Sequence, residues 1–191
     1  MIMFVKIPTK ITLTEFLELS ESKPIQEYVD GYIFQKPMPK GKHSTIQTFL
    51  TTAINQRGIP EKKCCAFSEL RCTFGTRSIV PDISVISWQN IPKDPQEEID
   101  NNIEIAPNWI IEILSLQQSS IRVIDNILFA LNYGTEIAWL IDPQEKIIIV
   151  FLPNQQPQIK QNNDLLPVLS WLSDWQLSTQ DIFNYLSFFS Y

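Results

Sequence analysis

Two carboxylates interrupt apolar runs of this chain. Asp82 opens Pro81-Asp82-Ile83-Ser84-Val85-Ile86-Ser87, and about thirty residues later Glu112 lies inside Trp109-Ile110-Ile111-Glu112-Ile113-Leu114-Ser115. Both runs have the length and β-branched content of buried strands. An unpaired carboxylate in an apolar layer costs several kcal/mol, so each acid needs a partner, and a divalent cation would use both. Side chains alternate faces along a strand, which puts Ile110, Glu112 and Leu114 on one face. With the Asp82 strand as its neighbour, the two carboxylates meet at one point. Two carboxylates, a backbone carbonyl and waters suit Mg²⁺ (or Mn²⁺), a hard cation that prefers oxygen. A metal there would polarise a phosphate and activate water. The competing reading makes Asp82 and Glu112 members of structural ion pairs; separation beyond roughly 8 Å would favour it, since metal–oxygen distances are near 2 Å.

Other chemistries are excluded. His43 is the single histidine, so the two-histidine zinc-protease signature is absent, and no nucleophile elbow, phosphate loop or dinucleotide fingerprint occurs. Five glycines leave little material for phosphate cradles of backbone amides. Cys64, Cys65 and Cys72 are odd in number and two are adjacent, a poor disulfide framework that suits a reducing compartment. Adjacent strand residues face opposite ways, so Cys64 and Cys65 would not share a zinc; they read as small buried hydrophobes.

The elements that must position the acids follow from pattern. Thr12-Leu13-Thr14-Glu15 is a capping box for a helix from about Leu13 to Ser20. Glu27-Tyr28-Val29, Asp30-Gly31 and Tyr32-Ile33-Phe34 make an N-terminal hairpin with a type I′ turn. A second helix covers Ser44 to Gln56, with Ile46, Phe49, Leu50 and Ala53 inward and Gly58 ending it. Strands follow at Cys64–Phe67 and Leu70–Phe74, then the Asp82 and Glu112 strands with a polar loop between them. Ser119 and Ser120 cap a helix to about Tyr133, with Ile124, Ile127, Leu128 and Leu131 buried and Gly134 beyond it. Ile137–Ile141 and Ile147–Leu152 are strands around an Asp142-Pro143 turn. Ser178 to Asp181 starts a last helix with an aromatic tail, Phe183, Tyr185, Phe188 and Phe189, for packing or for docking on a second subunit. The sum is a mixed sheet flanked by helices, an α/β or α+β core, in a single domain over 1–191. With no run of transmembrane length and no signal-peptide core near the N-terminus, the expectation is a cytoplasmic protein with no membrane partner.

The net charge of -6 argues against a non-specific nucleic-acid coat. Yet residues 1–80 hold eleven Lys/Arg against seven Asp/Glu, and residues 81–191 hold four against fourteen. Lys36, Lys40 and Lys42, with Arg57, Lys62, Lys63, Arg71 and Arg77, are either a phosphate-facing patch or solvated loop charges.

Taken in order, Glu27 before Asp30-Gly31, His43 at a helix start, Pro81-Asp82, Glu112-Ile113-Leu114-Ser115, Gly134 and Trp139-Leu140-Ile141-Asp142-Pro143 resemble the Uma-type restriction endonuclease family on the PD-(D/E)XK nuclease fold. The similarity runs from Thr12 to the last helix. It implies a restriction-endonuclease-like mixed sheet of four to five strands flanked by helices, a homodimer, and Mg²⁺-dependent hydrolysis of DNA phosphodiesters. Asp82 and Glu112 would then be metal ligands and Glu27 a further acid of the site. His43 would contact phosphate or water at its rim, or else serve as a helix cap; Glu27 reads equally as a hairpin surface residue paired with Lys36. The motif's Lys does not appear where the pattern expects it. Two residues after Glu112 stands Leu114, and the places on the following helix fall at Asn126 or Phe129. Arg122, one turn before Asn126, could project in the same direction; a guanidinium is a poor proton shuttle but can stabilise transition-state charge. Without the Lys, the alternative is a catalytically inactive nuclease-fold protein acting as a binding or interaction module.

Overall fold

The computed structural model describes residues 10–115 and 118–187. In chain order its elements are α1 (Leu13–Leu17), β1 (Gln26–Val29), β2 (Tyr32–Gln35), α2 (Gly41–Gly58), β3 (Cys64–Ser68), β4 (Cys72–Phe74), β5 (Arg77–Ile79), β6 (Ile83–Ser87), β7 (Trp109–Ile113), α3 (Ser120–Asn132), β8 (Ile137–Asp142), β9 (Ile147–Phe151), β10 (Gln158–Gln161) and α4 (Thr179–Asn184). The strands form two sheets rather than one of four or five strands: a six-stranded sheet ordered β10-β9-β8-β7-β6-β3 and a four-stranded sheet ordered β2-β1-β5-β4. The segment read as one strand over Leu70–Phe74 begins only at Cys72, and β5 follows it as a separate hairpin arm. In the large sheet β7 and β8 run parallel, with α3 as their crossover, and the other pairs are antiparallel.

Local chemistry accounts for the boundaries. Asp30 and Gly31 both have positive φ, 50° and 101°, as a type I′ turn requires. Reciprocal capping boxes start α1 at Thr12/Glu15 and α4 at Ser178/Asp181. Gly134, at φ 105°, follows α3. Gly58 ends α2 as expected and has a second duty. It is the last residue of α2, and a Cβ there would meet Cys64 Sγ and lie 2.6 Å from the Cys64 carbonyl oxygen. Close approach of α2 to β3 therefore depends on the missing side chain.

Alternation along β7 divides the core. Trp109, Ile111 and Ile113 enter the layer shared with Ile46, Leu50 and Ile54 of α2 and Ile182 and Phe183 of α4. Trp109 and Trp139 meet edge-to-face there, 4.5 Å apart. Ile110 and Leu114 enter the opposite layer, with Ile79, Val123, Ile127 and Ala130. Glu112 shares that second face. Cys64 and Cys72 are buried, and burial pushes both thiols up to about 12.

Two helix faces differ from expectation. On α3 the buried residues are Val123, Asn126, Ile127 and Ala130, while Leu128 is exposed. Arg77 is the reason: its guanidinium donates to Asn126 Oδ1 at 3.2 Å and pairs with Asp125 at 2.8 Å, which turns a polar residue inward. On α2, Phe49 is exposed with its ring stacked on Tyr185, and Gln47 is buried beside Leu50. Phe188 and Phe189 of the aromatic tail lie outside the described residues.

Candidate active site

Asp82 immediately precedes β6. Since Ile83 pairs with Ile111, Asp82 lies across from Glu112 in the antiparallel register. Both are buried, at 2% and 3% exposure. The partner each acid needs comes from elsewhere in the chain. Lys36 follows β2, and its amide continues the hairpin ladder by donating to the Ile25 carbonyl. Its ammonium donates to Asp82 Oδ1 at 2.8 Å, to Glu112 Oε2 at 3.2 Å and to the Val80 carbonyl at 2.7 Å. Three acceptors match its three protons. One nitrogen touching both carboxylates means the two oxygens are at most about 6 Å apart. That is inside the roughly 8 Å limit for a shared cation.

The other oxygen of Asp82 accepts the Ile113 amide at 2.7 Å and faces His43 Nε2 at 3.1 Å. Gln47 Nε2 donates to the Asp82 carbonyl at 2.8 Å. These contacts hold the carboxylate against β7 and α2 together. Glu27, in β1, is buried rather than at the hairpin surface, and its Oε1 accepts the Val80 amide at 2.8 Å.

Electrostatics separates the two acids. Burial by itself would raise Asp82, but Lys36 and His43 outweigh it and hold the carboxyl well below the usual carboxylate range. Burial dominates at Glu112 and raises it well above its ordinary value, with Asp82 and Glu27 adding repulsion that Lys36 offsets only in part. Glu27 is raised for the same leading reason. Burial works against the charge of Lys36, yet Asp82, Glu112 and Glu27 override it and raise the ammonium's pKa. The cluster pairs an acid that stays ionised with one that holds its proton more tightly.

The structure thus gathers Asp82, Glu112, Glu27 and His43 around Lys36. Arg122 stands apart from the carboxylates, its guanidinium 4.0 Å from the Phe34 ring centroid. Asn126 is held by Arg77. Both still line a cavity of about 30 Å³ together with Glu27, Lys36 and Glu112, room for a water among polar groups. A wider groove of about 510 Å³ adjoins His43 and is lined by Lys40, Lys42, Leu114, Ser115, Gln118 and Asp142. His43 Nδ1 is buried and has no hydrogen-bond partner among the described residues.

Sequence reasoning assigned Lys36 only to a basic patch or to Glu27, and passed over Gln47. The available signal was register. A type I′ turn at Asp30-Gly31 pairs Glu27 with Phe34, so Lys36, two residues on, shares the face of Phe34.

Two close carboxylates fit Mg²⁺ or Mn²⁺ better than a metal needing a full protein cage. Among the described residues no group of three or more His, Cys, Asp or Glu forms such a cage, and Mg²⁺ binds through one or two carboxylates while keeping waters. No helix among the described residues is long and apolar enough to cross a membrane.

Comparison with known proteins gives one family and one similar solved structure. The Uma2 family, described as "Putative restriction endonuclease", matches residues 13–180. A crystal structure described as a putative nuclease belonging to DUF820 from Anabaena variabilis ATCC 29413 is 48% identical. It superposes with a TM-score of 0.90, over 92% of this chain and 99% of that one. No curated protein matches the chain.

Proposed function

This chain belongs to the Uma2 family, and from that premise we propose that it is a DNA endonuclease that hydrolyses phosphodiesters with Asp82 and Glu112 as ligands of Mg²⁺ or Mn²⁺. The observation that carries the proposal is the single ammonium within 3.2 Å of both buried carboxylates. A stability role alone is a weak account of such a cluster, because well-packed apolar residues often serve a core as well as a buried ion pair does. Bound metal would polarise the phosphate and lower the pKa of water.

The chain's own groups prepare that chemistry. Asp82 is held ionised by Lys36 and His43 and positioned by the Ile113 amide on its carboxylate and by Gln47 on its backbone carbonyl. Glu112 would hold the cation in its deprotonated form, since a carboxylate must be deprotonated to ligate. Lys40 and Lys42 border the adjoining groove and supply positive charge along the path of a phosphate backbone. The net reaction is hydrolytic. A water oxygen bonds to phosphorus as the bond from phosphorus to the leaving sugar oxygen breaks. The water releases one proton to solvent and the leaving oxygen takes one up. The homodimer implied by the family resemblance belongs to the same proposal. The inactive-module reading drew on a missing basic group, and Lys36 weakens that motive.

The test is cleavage of supercoiled, linear and single-stranded DNA with millimolar Mn²⁺, beside the thermal shift caused by Mn²⁺ alone. Metal-dependent cleavage and a rise in Tm are expected, both lost in Asp82→Ala. Absence of cleavage and of any metal-induced shift in the folded wild-type protein refutes the proposal.

A further inference from the structure

We propose that Lys36 is the catalytic lysine of this site, delivered by the N-terminal hairpin instead of by the Glu112 strand or the helix after it, and that its ammonium would compete with a metal for the two carboxylates. The inference rests on the nuclease reading above and deepens it.

The positions where such a lysine would otherwise stand are committed elsewhere. Leu114 packs at the edge of the second core layer. Phe129 lies under the Arg77 guanidinium, 4.2 Å from ring centroid to carbon, and stacks on Phe74. Asn126 accepts a hydrogen bond from Arg77. The small sheet supplies what they do not. Lys36 is 76 residues from Glu112 in sequence, and its place directly after β2 brings its ammonium to that acid of β7. Lys36, Glu112 and Asn126 line one cavity of about 30 Å³, so a lysine on α3 at position 126 and the one on the hairpin reach the same space.

Two consequences follow. A cation held by Asp82 and Glu112 would compete with the ammonium for these carboxylates, so Lys36 would oppose metal loading. Moved off one carboxylate, the ammonium would still have the other acid and the Val80 carbonyl within reach. From there it acts as a donor to the attacking water or the phosphate oxygen, stabilising charge as it develops.

The experiment compares wild type, Lys36→Met and Lys36→Met with Asn126→Lys, measuring Mn²⁺ affinity and DNA cleavage separately. In Lys36→Met, Mn²⁺ binding should tighten by about tenfold or more, because its competitor is gone. Cleavage should fall by roughly 10²-fold or more, the scale of losing one preorganised charge donor. Adding Asn126→Lys should recover at least about tenfold of the cleavage, since it returns an ammonium to the shared cavity. Lys36→Met that binds Mn²⁺ no tighter, or cleaves within about threefold of wild type, overturns the inference and leaves the nuclease reading standing. Absence of Mn²⁺ binding in wild type and variant alike overturns both. Should Lys36→Met fail to fold, Lys36→Arg decides. A guanidinium cannot match three acceptors that converge on one point charge, so cleavage should drop about tenfold or more with the fold retained. Unchanged cleavage in Lys36→Arg overturns the inference.

Discussion

Replacing Asp82 by Asn keeps the shape of the side chain and removes its charge, so it isolates what the ionised carboxylate contributes. The wild-type oxygens accept from Lys36 at 2.8 Å and Ile113 at 2.7 Å and face His43 at 3.1 Å. Asn has one oxygen. If that oxygen stays on the Ile113 amide, the new NH₂ faces the Lys36 ammonium, donor against donor; the flipped amide faces Ile113 instead. Either way one charge-assisted bond is lost, worth about 1.5–3 kcal/mol, and in the first orientation the ammonium keeps only Glu112 and the Val80 carbonyl. Breaking a buried pair by removing one charge costs about 3–5 kcal/mol. At its lower end, for a chain of this size, that is a fall in Tm of roughly 6–12 °C. The pH dependence carries a sign. Asp82 has a depressed folded pKa, so its contribution is complete above the unfolded value of about 3.9 and is lost as pH falls through the folded value. The gap between wild type and Asp82→Asn should be constant from pH 7 to about pH 5 and narrow below about pH 4. Urea denaturation with a metal chelator, at steps from pH 7 downward, measures it. Equal stabilities at pH 7, or a gap unchanged at the lowest pH where wild type remains folded, would refute the account of Asp82 as an ionised group held by Lys36.

Glu112→Gln should behave with the opposite sign. Burial raises the folded pKa of Glu112, so its contribution is present below the unfolded value of about 4.3 and is lost as pH rises. At pH 8 without metal the variant should be at least as stable as wild type, to within about 1 kcal/mol, and should show no Mn²⁺-induced Tm shift; clear destabilisation, or a retained shift, contradicts it. Gly58→Ala places a Cβ 2.6 Å from the Cys64 carbonyl oxygen and should cost about 1–3 kcal/mol by overpacking. A urea midpoint equal to wild type would show that α2 and β3 can separate freely.

Much of the molecule was legible because its signals are local. Run length and β-branched content marked β6 and β7, Asp30-Gly31 marked the first hairpin, and Thr12/Glu15 and Ser178/Asp181 marked two helix starts. Where a face is set by a distant polar partner, local pattern misleads. Asn126 turns inward because Arg77 meets it, and Gln47 because it donates to Asp82. The separate small sheet and β10 were also missed; three-residue strands such as β4 and β5 are too short for periodicity to register.

The site divides along the same line. By itself the sequence determined that two acids lie in apolar strands and that some positive charge must answer them, since desolvation is a property of residue type and run length. Which charge answers was decided by tertiary structure alone. Lys36 is remote from both acids in sequence and is unremarkable as the residue after a short strand. The placement of the residue after β2 beside Asp82 and Glu112 in the folded chain makes it the partner of both.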